Sequence, residues 1–268
     1  MNADSYYSIG KSHTVCQDYA RAGTFRAGPD GSNFACALLS DGCSSSPDSD
    51  IGARLVVLST MGYLADGLGL TTLDSIMGTA RKGLPRGLTD TSLDATLLAA
   101  RWDAETDPIV RALGDGVVVF KCKGDFTVIH DIDAGNFPPY PSYLLDDSRM
   151  RVFEKTGHVR VDRYVQGELE DNVLLSGSEC FQGLLFRPPP EAELEAVFLL
   201  SDGVHSFQHT ETFEPIPMLE IVGKLMDIKS YTGAFVERRC KFFEHREMPK
   251  LKWQHTDDFS MAGIHTGD

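Results

Sequence analysis

Leu38-Leu39-Ser40-Asp41-Gly42 and Leu199-Leu200-Ser201-Asp202-Gly203 are the same five residue types at two distant places in the chain. Each closes an apolar run with the length and continuity of a strand buried on both faces. An aspartate at the end of such a strand, followed by glycine, points its carboxylate off the sheet edge while the chain turns away. Leu113-Gly114-Asp115-Gly116 interrupts a third apolar run, and Thr256-Asp257-Asp258-Phe259-Ser260 precedes a fourth. Carboxylates that converge in a confined site cannot all stay ionised unless something neutralises them. The usual partner of oxygen-only ligands is a hard divalent cation, Mg²⁺ or Mn²⁺. The pattern therefore predicts a metal site and metal-assisted hydrolysis.

Outward from these strings, residues 6–10 read as a short first strand, and Gly28-Pro29-Asp30-Gly31-Ser32-Asn33 as a turn. Residues 49–65 carry Ile51, Leu55, Leu58, Met61 and Leu64 at helical spacing, with Ser49-Asp50 available as a cap. Residues 72–84 read as a second helix. Gly67-Leu68-Gly69, between the two, lacks the rest of a phosphate-loop pattern. Strands are expected at 94–102, 109–113, 117–121 and 126–131, with hairpin turns at Gly114-Asp115-Gly116 and Lys123-Gly124-Asp125. Residues 134–192 hold two proline-rich pieces and read as an irregular insertion carried by the sheet. Helices at 218–226 and 230–247 and a strand at 257–264 follow. Strands and helices do not alternate, which argues against a doubly wound parallel sheet. The order suits an α+β architecture of two antiparallel sheets packed face to face, with helix pairs outside, in one domain over residues 1–268.

The chain has 268 residues, 42% hydrophobic, enough for a substantial core. Its formal net charge of −14 argues against a nucleic-acid partner and against an anionic membrane surface. No apolar run reaches the ~20 residues of a membrane span, and the N-terminus has no signal-peptide pattern. The cysteines at 16, 36, 43, 122, 180 and 240 show no Cys-x-x-Cys spacing, so reduced thiols in a cytoplasmic protein are expected. A monomer is the default. His205 and His209 are read as surface or loop residues, and His255 as ordinary packing. Tyr63, Phe242 and Phe243 are read as core, and Cys43 as a small buried filler.

The order of motifs resembles the metal-dependent protein phosphatases of the type-2C family. The matching pieces are Gly10-Lys11-Ser12-His13-Thr14-Val15-Cys16-Gln17-Asp18, Ser40-Asp41-Gly42, Leu93-Asp94-Ala95-Thr96, Gly114-Asp115-Gly116, Ser201-Asp202-Gly203 and Asp257-Asp258-Phe259-Ser260. The resemblance implies a four-layer α-β-β-α sandwich with a two-metal Mn²⁺ or Mg²⁺ centre. It also implies hydrolysis of phosphoserine or phosphothreonine in a phosphoprotein substrate by a metal-activated water. Asp41 then resembles the carboxylate that bridges the metals, and Gly42 would offer its carbonyl. Asp202 and Asp257 resemble terminal ligands. Asp115 resembles the aspartate that, with Asp202, holds a third, weaker metal in some members. Gln17, Asp18 and Asp258 would stand behind the ligands, and His13 would face the phosphate. Asp94 is read as structural despite its motif.

This chain also departs from the family pattern. Gln17 stands where many members have a glutamate, His13 where eukaryotic members often have an arginine, and Cys43 where some carry a histidine. The alternative reading is a pseudophosphatase that keeps the fold as a phosphoprotein-binding regulatory module.

Overall fold

The computed structural model describes residues 1–27, 32–66, 68, 72–103, 106–190 and 193–267. Most of the turn expected at 28–33, and Gly67 and Gly69 of the Gly-Leu-Gly string, lie outside the described residues. The strands, in chain order, are β1 (Asn2–Ser8), β2 (Tyr19–Ala27), β3 (Ser32–Ser40), β4 (Leu97–Asp103), β5 (Ile109–Leu113), β6 (Gly116–Cys122), β7 (Thr127–Asp133), β8 (His158–Val165), β9 (Glu168–Ser176), β10 (Leu184–Phe186), β11 (Leu194–Leu200), β12 (Phe207–His209), β13 (Trp253–His255) and β14 (Phe259–His265). The α-helices are α1 (Ser49–Ala65), α2 (Leu73–Gly83), α3 (Asp147–Thr156), α4 (Met218–Leu225), α5 (Phe235–Phe242) and α6 (Met248–Leu251).

Two large antiparallel sheets result, with strand orders β1-β14-β11-β6-β7-β8-β9 and β10-β5-β4-β3-β2. β6 shows why its run is continuously apolar. Val118 and Phe120 point into the core shared with the second sheet, while Val117 and Val119 point outward under α4 and α5. Both faces are covered, so neither admits a polar stripe. Helices α1 and α2 cover the outer face of the five-stranded sheet, and α4 and α5 that of the seven-stranded one.

The α+β sandwich agrees with the sequence reading, with several local corrections. Helix α1 has the expected bounds, but its buried stripe is Gly52, Ala53, Val56, Val57, Thr60 and Leu64, and Leu58 is exposed. The small residues set that face. Its N-cap is Asp48, in a left-handed conformation and without a side-chain cap bond, rather than Ser49-Asp50. The long helix expected at 230–247 begins only at Phe235 and passes through a π turn at Phe243–Glu247. Phe242 and Phe243 are consecutive on that helix and cannot share a face, so Phe243 is buried and Phe242 is exposed. Residues 134–192 are not irregular. They contain α3 and the hairpin β8–β9, which extends the seven-stranded sheet. Strand β2 was not anticipated.

Antiparallel register carries the acidic strings to one edge. Tyr19 pairs with Ser40, Leu39 with Leu98, Val117 with Leu200, Leu200 with Met261 and Ser8 with Phe259. The ends of β1, β3 and β11 therefore lie beside the starts of β14, β2, β4 and β6. Asp18, Asp41, Asp94, Asp115, Asp202, Asp257 and Asp258 all flank those ends.

Candidate active site

At this edge the carboxyl of Asp41 sits against those of Asp18 and Asp202. Burial first, then Asp202 and Asp18, push its pKa well above the usual carboxylate range. Asp18 is 1% exposed. Burial is the main force raising its pKa to about 7. The hydroxyls of Ser201 and Ser260 lie beside it, but neither Asp18 oxygen has a hydrogen bond in line, and the Ser260 hydroxyl has none either. Asp115, in the turn between β5 and β6, is raised by burial and then by Asp202. Asp257 is half exposed and is raised by burial and Asp202. Among the described residues, the ion pairs reaching these carboxylates come from His13, at the outer side of the cluster. Among the same residues, no three Asp, Glu, His or Cys side chains close into a tight metal-ligand cage.

Asp258 organises the loop from Gly10 to Gln17. Its carboxylate accepts from Gly10 N at 2.8 Å and from Gln17 N at 2.6 Å. His13 Nδ1 approaches the same carboxylate at 2.9 Å, out of line for a hydrogen bond, and Nε2 lies 3.5 Å from Asp257. Burial alone would depress the His13 pKa, but Asp258, Asp257 and Asp18 outweigh it and the net shift is upward. Gln17 Nε2 donates to Ser49 Oγ at 2.8 Å. The backbone of the 257–258 pair is packed from two sides. A Cβ on Gly10 would fall 2.2 Å from Asp257 C, and one on Gly203 would fall 1.8 Å from Asp258 O. Only glycine fits at either position.

The loop bearing Asp41 and Gly42 is fixed by the Leu93-Asp94-Ala95-Thr96 string. Thr96 N donates to Asp41 O, Asp41 N donates to Thr96 Oγ1, and Cys43 N donates to Asp94 O. The buried Asp94 carboxylate accepts from Ser142 Oγ at 2.6 Å, Arg149 Nη2 at 2.6 Å and Ser46 Oγ at 2.9 Å. It is a structural hub, and it joins the 134–192 stretch to the Asp41 loop. The sequence reading did not find this link, although Asp94 lay inside a quoted motif. It also missed Tyr140, which the same stretch brings beside the Cys43 thiol.

Cys43 itself is half-buried rather than a buried filler. Burial would raise its pKa, but hydrogen bonds from Ser45, Tyr140 and Ser46 favour the thiolate, and the net shift is downward. His205 stands at 3.0 Å from Asp131, in a cavity of about 440 Å³ that Asp115 and Asp202 also line. His209 lies on β12 with its ring against Trp253. His255 is packing, as expected: its ring stacks on Phe207, and its Nδ1 lies 2.8 Å from Asp257 O.

These features define a four-layer α-β-β-α sandwich with an acidic centre at one edge of its sheets. Across residues 7–226 the sequence matches the profile of the family described as protein phosphatase 2C, and the chain belongs to that family. Among solved structures, a bacterial serine phosphatase bearing an Arg-to-Lys mutation has a TM-score of 0.55 at 12% identity, over 100% of this chain and 99% of that one. The serine/threonine phosphatase MsPP of Mycobacterium smegmatis, in complex with cacodylate, has a TM-score of 0.51 at 14% identity, over 100% and 99%. The phosphatase domain and regulatory fragment of SpoIIE from Bacillus subtilis has a TM-score of 0.53 at 14% identity, over 98% of this chain and 62% of that one. At these identities the likeness is one of fold. Among curated proteins, none matches this chain. Among the described residues, no helix is long and apolar enough to cross a membrane.

Proposed function

We propose that this chain is a metal-dependent protein serine/threonine phosphatase acting on phosphoserine or phosphothreonine in a phosphoprotein. One observation carries the reading: among the described residues, Asp18, Asp41 and Asp202 are gathered with no cation paired to them, and neither buried Asp18 oxygen has a hydrogen bond in line. An all-oxygen donor set in that state fits Mn²⁺ or Mg²⁺. Asp41, the Gly42 carbonyl, Asp202 and Asp257 would hold two cations, and Asp115 with Asp202 a third, weaker one. Asp18 would join the ligands rather than stand behind them, because neither of its buried oxygens has an in-line hydrogen bond. When bound, such a metal pair neutralises phosphoryl oxygens and supplies a nucleophilic water near neutral pH.

The chain's own residues do the rest. His13, whose pKa Asp258 and Asp257 raise against the lowering effect of burial, would donate to a phosphoryl oxygen. Asp258 holds the His13 loop through Gly10 N and Gln17 N, so the phosphate-facing side chain keeps a fixed distance from Asp257. The acidic surface selects against nucleic acid and anionic membranes. We read the chain as one domain, monomeric and cytoplasmic.

The test is hydrolysis of a phosphothreonine peptide with and without Mn²⁺, beside Asp41→Asn. Turnover that requires Mn²⁺ and disappears in the variant supports the proposal. Near-normal turnover in Asp41→Asn sinks the two-metal reading. The pseudophosphatase alternative has one observation in its favour: Gln17 brings no charge and spends its amide on Ser49. That alternative expects a folded protein that binds Mn²⁺ weakly by calorimetry and turns nothing over.

A further inference from the structure

Lys121 interrupts the apolar layer beneath α4. It follows Val117 and Val119 on the helix-facing side of β6, where the pattern calls for another aliphatic residue. It is 9% exposed. Among the described residues its ammonium makes one hydrogen bond, to Met226 O at 3.2 Å, and no carboxylate lies within ion-pair distance. The Tyr231 ring lies under it, with the ammonium 5.6 Å from the centroid and the Tyr231 hydroxyl beside it. An ammonium has three donors, and a buried one is costly unless they are satisfied. Among the described residues, Met226 O and the Tyr231 hydroxyl are the acceptors beside it, which leaves one donor open toward the groove.

This ammonium lines a groove of about 620 Å³ between β6–β7 and α4, a volume typical of small-molecule sites. Ile129, Leu219, Val222 and Met226 supply its apolar wall. Gly223 opens it, since a Cβ there would meet nothing within 4 Å. The groove lies at the opposite end of β6 from Asp115, so it is separate from the acidic centre.

We propose that this groove binds a small organic monocarboxylate, its carboxylate on the Lys121 ammonium and its apolar body along α4. The charge count selects the class. Among the described lining residues, Lys121 is the cation outside any ion pair, while Asp125 and Asp227 stand at the rim, with Asp227 paired to Lys229. A single negative charge is matched by Lys121, and the unpaired rim carboxylate of Asp125 repels a phosphate dianion about twice as strongly as a monoanion. The length of the apolar wall calls for a ligand with a tail or ring, not a bare acid.

The test is an NMR titration of methionine-methyl-labelled protein with 4-phenylbutyrate, octanoate and, separately, inorganic phosphate. It reads no turnover, so it stands apart from the phosphatase reading. The expected result is a saturable shift of the Met226 methyl with both carboxylates and none with phosphate. Lys121→Met should weaken that binding about tenfold or more, the scale of one charge-assisted hydrogen bond. Gly223→Leu, which fills open space on a helix, should abolish it in a folded protein. Three results would overturn the proposal: no saturable shift by about 10 mM carboxylate, carboxylate binding unchanged in both variants, or saturation by phosphate at the same methyl.

Discussion

Replacing Asp18 by asparagine should stabilise the metal-free protein, although Asp18 lies among the most buried polar groups of the centre. The sign follows from its pKa, which folding raises from an ordinary 3.8 to about 7. Between those two values the folded chain holds a proton that the unfolded chain has released. Stability is therefore lost as pH rises from about 4 to about 7, and the loss is complete above that. At ~1.4 kcal/mol per pH unit it amounts to about 4 kcal/mol by pH 8 for Asp18 together with Asp41, which share the proton. Asparagine never incurs it, and its amide can donate to Asp41. Half the full value, ~2 kcal/mol, already shifts Tm by roughly 4–8 °C in a chain of this size. The assay is thermal unfolding of chelator-treated wild type and Asp18→Asn at about pH 5 and about pH 8.5. The variant should melt higher at the upper pH, by an amount that shrinks to less than half at the lower one. Saturating Mn²⁺ should reverse the order, because the wild type then gains a ligand the variant lacks. Parallel pH profiles for the two proteins, in chelator, would refute the reasoning: Asp18 would then not be the group whose proton folding retains.

Arg149→Met should cost about 2 kcal/mol in urea unfolding, since it strips the buried Asp94 of the one cation paired with it among the described residues while the Ser142 and Ser46 hydroxyls stay in place; an unchanged midpoint would remove Asp94 as the hub. Gly203→Ala should cost about 2–3 kcal/mol because the added Cβ meets backbone. Gly62→Ala, with nothing near its Cβ, should instead gain ~0.5–1 kcal/mol, and equal effects at the two sites would count against the packing argument. His13 has a pKa raised above 6.5. Its contribution is present in full below pH 6.5 and fades as pH rises through the raised value. His13→Gln should therefore lower the melting temperature more at about pH 6 than at about pH 9; a loss of equal size at both would show a packing role instead.

The layers of the fold were legible because buried strands and turn glycines leave strong local marks. β5 was read with its observed bounds, and β3 and β11 were located by the apolar runs that close on Ser-Asp-Gly. Strand β2 left no such mark: Tyr19-Ala20-Arg21-Ala22-Gly23-Thr24 is an edge strand whose alternation is weak and whose glycine dilutes it. The face of α1 was misread because its core contacts are made by Gly52 and Ala53, which carry little hydropathy. At the acidic centre, the strings that flank strand ends could be found from spacing and from the family resemblance. The tertiary links could not. Nothing local says that Arg149, in a helix of the 134–192 stretch, reaches Asp94, or that Tyr140 lies beside Cys43. Lys121 was visible only as the last residue of an expected strand, and its burial depends on α4, which arrives about a hundred residues later.

The pairing of the first strand with the last also bears on when the centre can exist. Gly10 N and Asp258 are 248 residues apart in sequence, yet they are joined directly. β14 sits between β1 and β11, so its absence would leave β1 without a partner in the sheet and β11 with an open edge. During synthesis, Asp18, Asp41 and Asp202 emerge well before the segment that holds the His13 loop in place. A nascent chain can form α1, α2 and the five-stranded sheet early, but the loop facing the carboxylates waits for residues 257–265. Closure over so long a separation makes that step slow compared with the local hairpins. Until residues 257–265 are available, an intermediate has Asp18, Asp41 and Asp202 without the contact that fixes the loop carrying His13.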